Sequence, residues 1–212
     1  SAKLSEFKDK KPDIIYVFGL EDDNYDGVYH YDEKNDIISG FVSLNDKNDY
    51  FGYAKKMLLT LYNTKMILKK NLPIHGAMFK LTFKSGLTKN IAIIGDSGAG
   101  KSETIESLRS VGDDLISNIE IVYDDMGTFY RKDGLVVSSG SEIGAFVRLD
   151  DLDQGYAYKQ IDRAVFLNPN KVNARVVLPA ASYDFIMKDH KVDMLLYANN
   201  YDLNDDGVKI YN

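Results

Sequence analysis

The run Gly95-Asp-Ser-Gly-Ala-Gly-Lys-Ser102 restricts the folds open to this chain more than any other stretch of it. It satisfies G-x-x-x-x-G-K-[ST] at every fixed position, a pattern whose glycines turn backbone N–H groups toward an anion at a helix start. Such a loop works only between a strand and a helix, and both are predicted. Asn90-Ile-Ala-Ile-Ile94 is an apolar β run, and helical spacing from near Lys101 to Val111 stops at Gly112. Gly95, Gly98 and Gly100 supply the backbone freedom, while Asp96, Ser97 and Ala99 complete the cradle. Lys101 would reach the β- and γ-phosphates, and the Ser102 hydroxyl would ligate Mg²⁺. The expected framework is an α/β domain that binds a nucleotide.

The rest of the chain reads as β-rich. Ile14–Phe18, Val28–Tyr31 and Ile37–Val42 are short β segments separated by polar turns. From Tyr53 to Lys70, Met57, Leu58, Leu61, Tyr62, Met66 and Ile67 recur at helical spacing. Strands are predicted over Gly76–Phe83, Ile91–Ile94, Ile119–Tyr123, Val172–Leu178 and Val192–Ala198. A hairpin is predicted where Lys132-Asp133-Gly134 joins Phe129–Arg131 to Leu135–Val137.

Charge narrows the partners. A formal net charge of -6 leaves no broad basic field for nucleic acid or an anionic membrane, so phosphate chemistry must use locally placed cations and amides. The sequence has no cysteine, which excludes disulfides, thiolate zinc sites and a cysteine nucleophile. With no signal-peptide pattern at its start and no stretch long enough to span a bilayer, a cytoplasmic location is expected.

A metal bound at such a loop needs an acidic residue at a later strand end, and Asp124-Asp125 follows Ile119-Glu-Ile-Val-Tyr123. Other residues fall in a telling order: Lys55-Lys56 opening the helical stretch, His75 in Pro73-Ile-His-Gly76, the glycine loop, Asp124-Asp125, and Arg175 in Asn173-Ala-Arg-Val176. This order, with the spacing of Lys55 and His75, resembles ATP-type phosphoenolpyruvate carboxykinases from about Val28 to Ala198. Glu142-Ile-Gly-Ala-Phe-Val-Arg148 is similar to that family's Glu-Gly-Gly-Cys-Tyr-Ala-Lys segment. Taken singly, each feature has a plainer reading: a structural histidine, a basic helix start, the polar face of a strand, a surface charge pair.

The resemblance implies a mixed, β-rich nucleotide-binding domain of the carboxykinase type. Lys56, His75 and Asp125 would ligate Mn²⁺, Lys56 as a neutral amine, and Asp124 would support the metal shell. Lys55 and Arg175 would bind the transferring phosphoryl group, Arg148 would join the ATP contacts, and Mg²⁺ would sit on Ser102. The implied reaction is decarboxylation of oxaloacetate, a small organic acid, with capture of the enolate by the γ-phosphoryl of ATP. Residues 1–26 would then be a lead-in from an N-terminal domain. Residues 27–212 would be a nucleotide- and metal-binding domain that continues beyond the C-terminus.

Two departures resemble HPr kinase/phosphorylase instead: Glu103 after Lys101-Ser102, and Gly76 after His75. That family's Glu-x-Arg-Gly-Leu-Gly segment is absent, and its members lack the Lys-Lys pair. A nucleotide-binding regulatory module without catalysis is the third reading. Asp22-Asp-Asn-Tyr-Asp-Gly27 with Glu33 also fits the calcium-loop pattern D-x-[DN]-x-[DN]-G-x₅-E, and Asp202–Gly207 fits its first half. The β character expected on both sides of Asp22–Glu33 favours a turn over a helix–loop–helix.

Overall fold

A computed structural model describes residues 11–22, 27–45, 48, 51–96, 98–101, 104–105, 107–108, 112, 114–142, 144–148, 165–167, 175–179, 181–199 and 210. Contacts divide the chain into two units, Ser1–Lys70 and Asn71–Asn212.

In the first unit, β3 (Ile37–Ser43) lies between β1 (Ile14–Leu20), to which it is parallel, and β2 (Val28–Asp32), to which it is antiparallel. Alternation along β3 buries Ile38, Gly40 and Val42. Leu61 of α1 (Phe51–Leu68), fully buried, packs against Gly40. The helix ends where Lys70 turns to φ 61. The segments flanking Asp22–Glu33 are strands, so no helix–loop–helix surrounds that acidic run; residues 23–26 lie outside the described ones.

Lys65 is the unexpected member of this core. It is 1% exposed, its ammonium meets the Asp36 carboxylate at 2.7 Å, and it also donates to the Asp36 carbonyl. The lysine thus ties α1 to the β2–β3 turn, where Asp36 holds φ 53. The Lys65 ammonium, and then the Tyr31 hydroxyl, hold the Asp36 carboxyl below its ordinary 3.8. A carboxyl whose folded pKa is depressed stabilises the fold above its unfolded value, and that contribution disappears as pH falls through the folded value. Lys65→Ala is expected to cost about 1–3 kcal/mol, from lost stem packing and a carbonyl left without its donor. Urea midpoints followed downward from about pH 5 should show an acid step below the ordinary carboxylate range that Lys65→Ala lacks.

The second unit is built on β4 (Leu72–Phe83). Its partners β5 (Thr88–Gly95), β6 (Ile116–Tyr123) and β7 (Met126–Lys132), with β8 (Leu135–Gly140) paired to β7, precede a small separate sheet of β9 (Gly144–Arg148), β10 (Val165–Leu167) and β11 (Arg175–Pro179). The chain then forms α2 (Tyr183–Met187), β12 (His190–Lys191) and β13 (Met194–Ala198). The main sheet runs β12-β8-β7-β4-β5-β13, and β6 also pairs with β4. One edge of β4 therefore has two successive neighbours: β7 beside Leu72–His75 and β6 beside Met78–Phe83.

Period-2 alternation in β4 splits the core between two faces. Ala77, Phe79 and Leu81 join Ile93, Ile121 and Ile105, the last from the helical turns after the glycine loop. Ile74 and Met78 join Ala92, Val122, Tyr123 and Phe129, with Phe185 of α2 packed against them. The fold is thus mixed α/β and strand-rich. No helix among the described residues is long and apolar enough to cross a membrane.

Several boundaries differ from the sequence reading. β4 begins at Leu72 because Pro73 sits near the strand's start, where a missing N–H is tolerated. β5 begins at Thr88, its polar first residues being held by pairing with β4 rather than by burial. Residues 172–174 of the predicted Val172–Leu178 strand lie outside the described residues, and β11 covers Arg175–Pro179.

Candidate nucleotide and metal site

β5 carries buried Ala92 and Ile93 into Gly95, where the glycine loop begins. Gly98 and Gly100 adopt φ 77 and φ 81, the left-handed region that favours glycine, and among the described residues no atom beyond the immediate chain neighbours lies within 4 Å of where a Cβ would stand. Consecutive amides in such a turn form a concavity suited to an anion. The chain then enters helix: Lys101, Thr104, Ile105, Ser107 and Leu108 are helical, and Thr104 N–H donates to the Gly100 carbonyl at 2.9 Å. The Lys101 ammonium is 7% exposed and donates to the carbonyls of Gly95 (2.9 Å) and Asp96 (2.7 Å). Ala99 N–H also donates to the Asp96 carbonyl at 3.1 Å. Ser97 and Ser102 lie outside the described residues.

Two of the four predicted metal ligands, His75 and Asp125, meet through β4. Gly76 is opposite Ile94 on β5, and His75 is opposite Met126 on β7, so the His75–Gly76 step lies between the loop's strand and the residue after Asp124-Asp125. Gly76 N–H donates to the Asp125 carbonyl at 2.9 Å, closing the β6-to-β7 corner onto β4. His75 Nε2 then lies 3.1 Å from Asp125 Oδ1, both side chains being about two-fifths exposed (40% and 42%). Asp124 is half-buried beside them in sequence.

Gly76 is required here for space. A Cβ would stand 2.5 Å from the Ile93 backbone oxygen, which cannot move without breaking the β4–β5 pairing. The sequence reading noted Gly76 only as a departure from a family pattern. Its steric reason depends on a partner strand and could not be read locally.

Arg175 of β11 is the register partner of Arg148 of β9. The sequence reading singled out both arginines separately, and the small sheet brings their backbones directly opposite. Lys55 and Lys56 lie in α1 of the Ser1–Lys70 unit, Lys55 half-buried and Lys56 exposed.

The loop has features that suit a polyphosphate: glycine-freed backbone, with a cation at the head of a helix. His75 and Asp125 offer an imidazole nitrogen and a carboxylate oxygen, a mixed pair better suited to a transition ion such as Mn²⁺ than to Mg²⁺. Among the described residues no group of three such side chains converges, so this pair is a partial set. No family model matches the chain.

Proposed function

We propose that this chain binds ATP with divalent metal at the Gly95–Ser102 loop and takes part in metal-assisted phosphoryl transfer of the phosphoenolpyruvate carboxykinase kind. The observation that carries the reading is the loop itself: a strand ending at Gly95, two left-handed glycines, and Lys101 at the head of a helix. ATP when bound supplies the transferred phosphoryl group, and Mg²⁺ and Mn²⁺ neutralise its charge.

The chain's own residues do the rest. Lys101 and the loop amides fix the polyphosphate's position, and the motif's Ser102 hydroxyl serves a metal. His75 and Asp125, held together at the corner of β4, are placed to take a second metal, with Asp124 orienting that shell. Arg148 and Arg175 are backbone register partners in β9 and β11. By resemblance, Arg175 is assigned to the phosphoryl group, whose equatorial oxygens gain from added cations in the transition state, and Arg148 to the ATP contacts. The roles of Lys55 and Lys56 rest on resemblance alone, both lying in the Ser1–Lys70 unit. Oxaloacetate is the proposed partner substrate.

One observation favours a second reading. The carboxykinase family's cysteine after the metal-binding histidine has no room at position 76, because its Cβ would meet the Ile93 carbonyl. The glycine found there resembles HPr kinase/phosphorylase, whose acceptor is a protein serine.

Calorimetric titration of MgATP, with and without Mn²⁺, tests the proposal on wild type and His75→Ala. Mn²⁺ should tighten MgATP binding in wild type and have no effect in His75→Ala. MgATP binding indifferent to both Mn²⁺ and His75 would remove the two-metal site. ATP consumption stimulated by oxaloacetate, against stimulation by a serine-bearing protein acceptor, then separates the two readings.

A further inference from the structure

We infer that Tyr123 is a positioning residue for Asp125: its side chain braces the β6-to-β7 corner and so holds that carboxylate beside His75 before any metal arrives. This rests on the metal-site reading and adds to it a residue from the opposite face of the sheet.

An aspartate at a corner is re-aimed by any movement of the backbone on either side of it. Here both sides are held. After the corner, Met126 is opposite His75 in register, and its carbonyl accepts from Ser141 N–H at 3.0 Å. Before it, the β4–β6 register shifts between Met78 and Phe79, so that Val122 and Tyr123 enter the same core, away from the face on which alternation along β4 places His75. Tyr123 is 1% exposed there. Its ring lies on Gly127 of β7, where a Cβ would stand 2.3 Å from the ring. Gly140 of β8, the register partner of Gly127, continues this floor, and a Cβ on it would stand 3.3 Å from the Tyr123 Cβ.

The far end of the ring is fastened as well. The Tyr123 hydroxyl is 2.9 Å from Ser138 Oγ, which is fully buried. Ser138 has one proton and donates it to the Thr128 carbonyl at 3.1 Å, so the Tyr123 hydroxyl is the donor in the first bond. Tyr123 thus ties the end of β6 to β8 directly and to β7 through Ser138. The Asp125 carbonyl, in turn, accepts from Gly76 N–H on β4 at 2.9 Å. With both flanks set in buried sheet, the Asp124-Asp125 corner has one way to lie, and Asp125 Oδ1 comes to 3.1 Å from His75 Nε2. Holding a ligand in place beforehand raises metal affinity without contact with the ion.

Tyr123→Phe keeps the ring on Gly127 and deletes the bond to Ser138. Manganese chloride is the probe: the free Mn²⁺ signal in electron paramagnetic resonance gives the affinity of the full chain, and a melting curve the stability. Mn²⁺ affinity should fall roughly three- to tenfold in Tyr123→Phe, less than for loss of a group bonded directly to a ligand. Ile121→Val, which trims β6 in the core of the other face, is the control. It should lower the melting temperature about as much and leave Mn²⁺ affinity at the wild-type level. Equal loss of affinity in both variants overturns the positioning role, as does a Tyr123→Phe protein that binds Mn²⁺ like wild type. In either case, Mn²⁺ binding that is lost in Asp125→Asn leaves the metal reading standing without the brace. If wild type leaves the free Mn²⁺ signal undiminished, the metal reading and the brace fall together.

Discussion

Replacing Gly76 with alanine should destabilise the Asn71–Asn212 unit by about 2–4 kcal/mol, the range for overpacking a site that cannot yield. The added methyl would stand 2.5 Å from the Ile93 carbonyl oxygen, and that oxygen belongs to the strand leading into the glycine loop. Relief requires β4 and β5 to part, or the Gly76 N–H to leave the Asp125 carbonyl. Either movement separates His75 from Asp125 or displaces Gly95, so the injury to stability should be matched by loss of the Mn²⁺ effect on MgATP binding. Gly76→Cys should behave at least as badly. Thermal denaturation is the direct readout, with a fall of roughly 5–15 °C for a unit of this size. A fully stable Gly76→Ala protein would mean that the pairing of Gly76 with Ile94 is wrong, and with it the placement of the metal pair beside the loop.

Lys101→Met should weaken MgATP binding by about a hundredfold while leaving thermal stability far less changed than Gly76→Ala does. A charge-assisted bond in a sheltered site is worth roughly 2–3 kcal/mol, and each 1.4 kcal/mol is a factor of ten. Methionine keeps most of the buried stem, which already lies among protein atoms, and deletes only the ammonium. Calorimetry gives the affinity and a melting curve the stability. A loss of less than about threefold would show that the loop is not where the phosphates bind, whatever its pattern suggests.

What the sequence revealed and what it concealed divide along physical lines. The apolar run before Gly95 and the recurrence of Met57, Leu61 and Ile67 were legible because each is a local periodicity. The strand–loop–helix order around Lys101 was legible for the same reason, being written in consecutive residues. His75 and Asp125 could be named, yet nothing in their order along the chain says that β4 exchanges β7 for β6 at that point. Their 3.1 Å approach is a product of register. Arg148 and Arg175 likewise became neighbours only through the pairing of β9 and β11. Lys65 was hidden more deeply: lysine on a helix reads as solvent-facing, and only the placement of Asp36 in a left-handed turn gives it a reason to be inside. The short α2 was missed because five residues carry too little periodicity to register, and its Ser182 cap looks like any loop serine.

β4 runs unbroken past both of its successive neighbours, and this determines how long the site persists once formed. His75 and Gly76 are interior residues of a twelve-residue strand whose backbone bonds extend in both directions, so no local fraying can release them. Their amides should exchange with solvent only when the whole sheet opens, on the slowest clock the molecule has. The glycine loop, held by the Ala99 and Lys101 bonds rather than by a sheet, should exchange on a faster one. A ligand bound as proposed would thus meet, in His75 and Asp125, a pair whose backbone outlasts its visit, beside a loop whose amides turn over faster.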